Sequence, residues 1–421
     1  MDIDVLSRDI YGRTIVHRAC FSGDIKTVTE LMLQADVRNA VEKEDRFLNV
    51  ASPLHWACYG RKIDVVKFLV EVIGMDVNLP ARYGETPLVW ACTVGNSCGD
   101  PCDDAVLVRY LLEKGADPFK FSPNKGVTPI HIASSYGLVN SVKVFLDFYP
   151  ELVSIRSYHN GMTPLHYAVS SESYDTAKIL LERGADVNCP DDRGCTPVWL
   201  MCEKGTIGGR LWDLLLEYGG NLRSCAVSPH EVLRVIADMS SSDVEKIKEL
   251  GLDVNNLTDK NGRNALHCLC LCPRGDLTVT VMKKLFILGA DPNALTCDGE
   301  TPLDILVDEF RWKKHREIVE AGVCDVIREL IKYGADPNTA GADGNTPLHR
   351  ACRYRLVPII ETLLEEGADM DARNKLGETP RDILLSVGLD GIVRKGIARK
   401  LVGEGGIDIC YEDALLNGRR L

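Results

Sequence analysis

The amino-acid sequence predicts an all-α repeat solenoid, a stack of helix-turn-helix repeats, and two recurring motifs predict it. An opening motif appears as "TIVHRAC" at Thr14, "SPLHWAC" at Ser52, "TPLVWAC" at Thr86, "TPIHIAS" at Thr128, "TPLHYAV" at Thr163 and "TPVWLMC" at Thr196. It continues as "NALHCLC" at Asn264, "TPLDILV" at Thr301, "TPLHRAC" at Thr346 and "TPRDILL" at Thr379. A closing motif follows many of these, as "LLEKGADP" ending at Pro118, "LLERGADVN" at Asn188, "LFILGADPN" at Asn293, "LIKYGADPN" at Asn338 and "LLEEGADMD" at Asp371. Most openings are 33 to 38 residues apart, a period that marks repeats stacked along one axis.

Residues 161–188 show why each repeat folds as a helix pair. Thr163 is a good N-cap, because its side-chain oxygen accepts from a free amide, and Pro164 suits the first helical position, where no donor is needed. Tyr174 to Arg183 then places Ala177, Leu180 and Leu181 on one stripe, and Gly184 supplies the left-handed stop. Neither helix is long enough to stand alone in water, so each must bury its apolar face against neighbouring repeats.

His55 and Cys58 stand three residues apart, as do His17 with Cys20 and His349 with Cys352. On a helix this spacing puts an imidazole and a thiol on one face, the raw material of a metal site. The two positions vary independently, however. Cys92 and Cys202 have no histidine partner, and His131 and His166 have no cysteine. A metal would demand both, so the cysteines read as core filler and no metal is expected. "CLCLC" from Cys268 to Cys272 reads the same way, since residues two apart on a helix point to different sides.

The Thr-Pro-Leu-His-x-Ala opening at this period, followed by Gly-Ala-Asp, resembles the ankyrin-repeat family, with a likeness that covers residues 8 to 390. The resemblance implies helix pairs joined by short β-hairpin loops, with histidine as a hydrogen-bonding brace of the turn. It also implies recognition of other proteins through the hairpin tips and the exposed side of the first helices. On those positions stand Tyr11, Phe21, Tyr59, Tyr83, Tyr136, His159, Arg353 and Tyr354, the expected protein-binding residues, with aromatics gathered in the early repeats. Asn188, Asn293 and Asn338 occupy the place where some ankyrin proteins are hydroxylated.

The departures from the pattern set the expected domains. Residues 1–225 are N-terminal repeats, and 226–256 form a degenerate repeat that keeps Ser228-Pro229 and a closing Gly-Leu-Asp-Val-Asn but loses the Leu-His-x-Ala core, a candidate joint. Residues 257–390 are C-terminal repeats, and 391–421 are a tail or cap without a recognisable ligase-recruitment box. Two insertions stand out. Residues 93–104 bring Cys98 and Cys102 beside Asp103 and Asp104, without the second ligand pair that zinc needs. Residues 308–322 gather Arg311, Lys313, Lys314, His315 and Arg316 around Trp312, which reads as a solvated helix extension or a docking site for an acidic partner.

Composition narrows the function classes. A formal charge of -12 over 421 residues opposes nucleic-acid binding, which rests on Lys and Arg neutralising phosphates. No stretch approaches a membrane span, and the acidic start "MDIDVLSRDIYGR" is unlike a secretory signal, so direct membrane insertion is not expected and the cytoplasm is the expected compartment. Sixteen cysteines in such a chain read as reduced thiols. No phosphate loop, Gly-x-Ser-x-Gly elbow or His-Glu-x-x-His is present. The expectation is a monomeric, non-catalytic adaptor or scaffold for partner proteins, without cofactor. The alternatives are a structural linker between a membrane protein and the cytoskeleton, or the substrate-recognition subunit of a ubiquitin ligase.

Overall fold

Each opening motif starts a helix at its second residue, as the cap chemistry requires. Thr14, Ser52, Thr128, Thr163 and Thr346 all lie in extended backbone immediately before a helix, and at Ser52, Thr128, Thr163 and Thr346 proline follows at the first helical position. The computed structural model describes residues 7–9, 13–39, 41, 51–81, 83–93, 103, 105–122, 124–271, 273, 276–310 and 316–386. The chain divides into two units, Met1–Ala226 and Val227–Leu421. Tyr11, Cys98, Cys102, Asp104, the segment 311–315 around Trp312 and the tail 391–421 lie outside the described residues.

In the N-terminal unit the first helices are Ile15–Ser22, Pro53–Tyr59, Pro87–Ala91, Pro129–Ser135, Pro164–Ser170 and Pro197–Lys204. Their second helices are Ile25–Met32, Ile63–Lys67, Ala105–Glu113, Val139–Phe148, Tyr174–Glu182 and Arg210–Glu217. First helices pack on first helices of the adjoining repeats, and second on second. Leu54, Leu88, Ile130, Leu165 and Val198, the third residue of each opening motif, are fully buried between them. Cys20, Cys58 and Cys92 are equally buried, as core filler should be, and burial pushes their thiols up.

The C-terminal unit repeats this plan with Ala265–Leu271 and Asp276–Ile287, Pro302–Glu309 and Arg316–Lys332, Pro347–Arg353 and Val357–Glu365, and finally Pro380–Ser386. The degenerate stretch also carries a helix pair, Pro229–Ala237 and Ser241–Glu249. What it lacks in motif it regains through Lys284, a buried lysine whose Nζ donates to the carbonyls of Ile236 at 3.0 Å and Ala237 at 2.6 Å. A cation there complements the negative end of the helix and satisfies two orphan acceptors.

The hairpin loops are single closed turns rather than paired strands. Ala81 N donates to Glu85 O at 2.8 Å and Asp191 N to Cys195 O at 2.9 Å, and the same closure joins Asp259 to Arg263 and Thr296 to Glu300. Among the described residues the one isolated β-bridge is Ser122–Val127, because one closure per loop is too short for a ladder. Successive tips are linked by the backbone, as in Asp192 N to Asn160 O at 3.0 Å and Ala226 N to Gly194 O at 2.9 Å. Gly194 is needed twice over: its φ is +80°, and a Cβ would lie 2.5 Å from the Ala226 backbone.

One repeat carries an extra residue. Seven steps separate Lys67 from Gly74, against six from Lys178 to Gly184. The helix absorbs the difference as a π-helical turn over Phe68–Val72, the usual fate of a single insertion. The closing motif thereby keeps its register.

That register matters because the closing asparagines form a ladder. Asn188 Nδ2 donates to Gly219 O at 3.0 Å while its Oδ1 accepts from Asn221 N at 2.8 Å, tying one loop to the next. Asn78 does the same to Gly115 and Asp117. In the C-terminal unit Asn255 bridges to Gly289 and Asp291, Asn293 to Gly334 and Asp336, and Asn338 to Gly367 and Asp369. The three asparagines singled out for hydroxylation thus have both ends of their amides engaged. Asn188→Ala is expected to cost about 1 to 2 kcal/mol in urea denaturation, since it removes two hydrogen bonds near the surface, each worth about 0.5 to 1.5 kcal/mol net. A loss below about 0.5 kcal/mol, within the range of ordinary surface changes, would show that the loops are held by other contacts.

Candidate protein-binding site

In the repeats that open at Ser52, Thr128, Thr163, Asn264 and Thr346 the histidine three residues after the cap is a two-ended brace. Thr163 N and Oγ1 lie 3.1 and 2.8 Å from His166 Nδ1, and His166 Nε2 lies 3.1 Å from Cys195 O in the following loop. His55 reaches Glu85 O at 3.0 Å, His131 reaches Ile155 O and Met162 O at 3.1 Å, and in the C-terminal unit His349 reaches Glu378 O at 3.1 Å. A ring that accepts at Nδ1 and donates from Nε2 is neutral, and both nitrogens are occupied. Burial pushes His131 down to about 4, and lowers His166, His267 and His349 as well. Among the described residues no group of three or more His, Cys, Asp or Glu is arranged to hold a metal.

With the histidines pointing into the stack, the next residue of the first helix is half-buried at Trp56, Trp90, Tyr167 and Arg350 and exposed at Arg18, while Ile132, Leu200, Cys268 and Ile305 are buried at the same place. In two consecutive repeats that residue is tryptophan. Trp56 and Trp90 meet edge to face with centroids 5.2 Å apart, and Tyr59, one turn along from Trp56, lies 6.2 Å from Trp56 and 5.7 Å from Trp90. Phe21 of the preceding repeat stacks on Tyr59 at 5.9 Å and meets Trp56 at 6.3 Å. All four rings are half-buried. Polar groups fix the edges of the cluster. Trp90 Nε1 donates to Glu85 Oε2 at 3.0 Å, Ser122 Oγ donates to Glu85 Oε1 at 3.3 Å, and the Arg13 guanidinium lies 5.2 Å from the Trp56 ring centre.

The structure brings together two of the residues expected from sequence, Phe21 and Tyr59. Tyr83 is 57% exposed on a hairpin turn, and Tyr136 is 41% exposed just past the helix Pro129–Ser135. His159 is exposed on the next tip, its ring 5.4 Å from Tyr158. In the C-terminal unit Arg353 pairs with Glu378 at 3.2 Å, and the Tyr354 hydroxyl donates to the Asp308 carboxylate. The residues that sequence reasoning missed are Trp56 and Trp90. Their signal was available: they fill the variable place just before the alanine of the opening motif in adjacent repeats, three residues, or one helical turn, before Tyr59 and Thr93.

Asp103 has a structural task. Its carboxylate accepts from Ser141 N at 2.9 Å, from Ser141 Oγ at 2.6 Å and from Asn140 N, capping the helix Val139–Phe148. The flanking residue Leu138 has no side-chain acceptor to do this, and a carboxylate suits the positive end of a helix.

Stacked short helix pairs, braced by histidine and bridged by asparagine, define a helical-repeat scaffold whose outward side chains vary freely. The chain belongs to the ankyrin-repeat family: the model described as ankyrin repeats (3 copies) matches residues 16–120 and 101–191, and that described as ankyrin repeats (many copies) matches 324–384, together more than half of the chain. Repeats of this family generally mediate protein–protein interaction and are typically non-catalytic. Human transient receptor potential cation channel subfamily A member 1 is 27% identical over 310 residues, 72% of this chain and 23% of that protein. Palmitoyltransferase AKR1 of Lachancea kluyveri is 28% identical over 54% of this chain and 29% of its own length. The E3 ubiquitin-protein ligase KEG of Arabidopsis thaliana is 30% identical over 44% of this chain and 11% of its own length. The chain therefore spans less than a third of the length of each. The human ASB11 ankyrin repeat domain, a solved structure, matches 66% of this chain at 23% identity with a TM-score of 0.42, over its full length. No helix among the described residues is long and apolar enough to cross a membrane.

Proposed function

We propose that the protein is a non-catalytic adaptor or scaffold that holds a partner protein on the aromatic face of its N-terminal unit. The observation that carries this reading is the continuous cluster Phe21–Trp56–Tyr59–Trp90, built from three successive repeats. The core of the stack is already supplied by the fully buried Leu54 and Leu88 beneath it, so four half-buried rings are more apolar surface than folding requires. Rigid rings bury much area at little entropic cost, which is why Trp and Tyr dominate binding hot spots. Tyr83 and Tyr136 serve as outlying contacts.

The test places a photo-crosslinking residue at Phe21, identifies the captured protein, and measures its affinity for variants. Trp56→Ala and Trp90→Ala are each expected to weaken binding by about 1 to 3 kcal/mol, a factor of about 5 to 150. Tyr218→Ala, on the far end of a second helix and 40% exposed, is the control and should change nothing. Unchanged affinity in tryptophan variants that still unfold cooperatively would remove this face from the function.

A further inference from the structure

Two neighbouring hairpin tips of the N-terminal unit differ from the rest. Ser122 N donates to Val127 O at 2.8 Å and Ser157 N to Met162 O at 2.9 Å. Each of these closures encloses one residue more than those of Ala81 with Glu85, Asp191 with Cys195 and Asp259 with Arg263. The two lengthened tips are also tied to each other. Tyr158 N donates to Gly126 O at 2.7 Å, and the His159 ring lies over Gly126, where a Cβ would clash with it. Gly126 has a φ of +64°, so the turn and the close approach both call for glycine.

The chemistry of these tips departs from the others as well. In shorter loops the closing residue can be an aspartate that takes up the loop's amides. Asp191 Oδ1 accepts from Arg193 N at 2.8 Å and from Cys195 N at 2.9 Å, and Asp259 Oδ1 from Asn261 N at 2.8 Å and from Arg263 N at 2.9 Å. Serine stands at that place in both lengthened tips, and the loops 118–127 and 155–163 contain Lys120, Lys125 and Arg156 without one Asp or Glu. Arg156 is balanced by Asp192 of the next tip at 2.9 Å, but Lys120 and Lys125 have no ion-pair partner among the described residues. Beside them Tyr158 is 77% exposed, its ring 6.4 Å from Phe121 and 5.4 Å from His159. So exposed a ring adds little to the fold, and a backbone hydrogen-bonded on both sides holds it ready as an anchor.

We propose that these paired tips dock an acidic segment of a partner protein, its carboxylates on Lys120 and Lys125 and an apolar side chain against Phe121 and Tyr158. The site shares no residue with the cluster Phe21–Trp56–Tyr59–Trp90 and does not depend on it. Charge complementarity selects the occupant: two unpaired cations, in loops that lack carboxylates, stand out in a chain of net charge -12. An anionic membrane fits less well, because two lysines fall short of the roughly four to eight basic residues that hold a protein on acidic lipid. The net charge of the chain opposes nucleic acid.

The experiment measures anisotropy of a fluorescein-labelled peptide with a leucine between two pairs of glutamates, titrated with the full chain at physiological salt. Lys120→Gln with Lys125→Gln is expected to weaken binding about tenfold or more, as loss of close charge partners does. Tyr158→Ala is expected to weaken it about fivefold or more, in protein that keeps its melting transition. Lys248→Gln with Lys260→Gln, the same change of charge at exposed places in the C-terminal unit, is expected to change it less than about twofold. Trp90→Ala is expected to leave it unchanged. Equal effects of the two lysine pairs, or no binding up to about 1 mM, would overturn the proposal. Loss of binding in Trp90→Ala would overturn it too, since the peptide would then lie on the aromatic face. So would sedimentation with phosphatidylserine vesicles that depends on Lys120 and Lys125 while the peptide stays free, which would assign the tips to a membrane surface.

Discussion

Trp199→Ala is expected to lower the stability of the N-terminal unit by about 3 to 5 kcal/mol, the cost of deleting a large side chain from a close-packed core. Trp199 occupies the brace-histidine place of the repeat that opens at Thr196, and it is completely buried. The ring fills space that an imidazole would leave open, but its Nε1 has no hydrogen-bond partner. Trp199→Phe is therefore expected to cost only about 1 kcal/mol or less, because the smaller ring loses some packing while removing an unsatisfied buried donor. Urea denaturation of the two variants decides the matter. A phenylalanine variant as unstable as the alanine one would mean that the indole N–H, not the volume, holds this repeat.

Acidification is the second large effect. His131 titrates at about 4 in the folded chain, held down chiefly by burial, against 6.5 for a free imidazole. Between these values the unfolded chain takes up a proton that the folded chain refuses, so stability is complete above pH 6.5 and falls as the pH drops towards 4. Two and a half units correspond to about 3 kcal/mol from this one residue, and His166 adds to it with the same sign. In the C-terminal unit Asp304 works in the opposite direction. Burial raises its folded value to about 6, above the ordinary 3.8, so it gains stability as the pH falls through that window and offsets part of the loss at His267 and His349. Hydrogen exchange at pH 7 and pH 5 should show residues 128–170 losing more protection than residues 301–350. Identical loss in both stretches, or none, would contradict the assignment of these protonation states.

Helix boundaries were legible because their causes are local. Thr163 and Pro164 start a helix wherever they stand, and the structure begins one at Pro164. The histidine brace was legible for a related reason: its near partner, the cap threonine, is three residues away. The aromatic site was half legible. Phe21 and Tyr59 were found by counting along the first helix, but Trp56 and Trp90 were passed over. Trp56 lies one turn before Tyr59 on the same face, and its meeting with Trp90 is set by how one helix pair is placed on the next, which no single repeat encodes.

The sequence by itself determined the repeat, its helix pairs, the packing role of its cysteines and the need to stack, because each rests on residues within one period of the chain. Only the tertiary structure decided what the repeats do to one another. The π-helical turn at Phe68–Val72 that keeps Asn78 in register, the lysine that caps the degenerate helix, the meeting of Trp56 with Trp90 and the ion pairs of Arg350 with Glu300, Asp304, Asp308 and Asp343 all join different repeats or answer to them. Such contacts are set by the lateral placement of one helix pair on the next, and insertions, loop closures and brace lengths combine to fix that placement. A motif read one repeat at a time carries no measure of it.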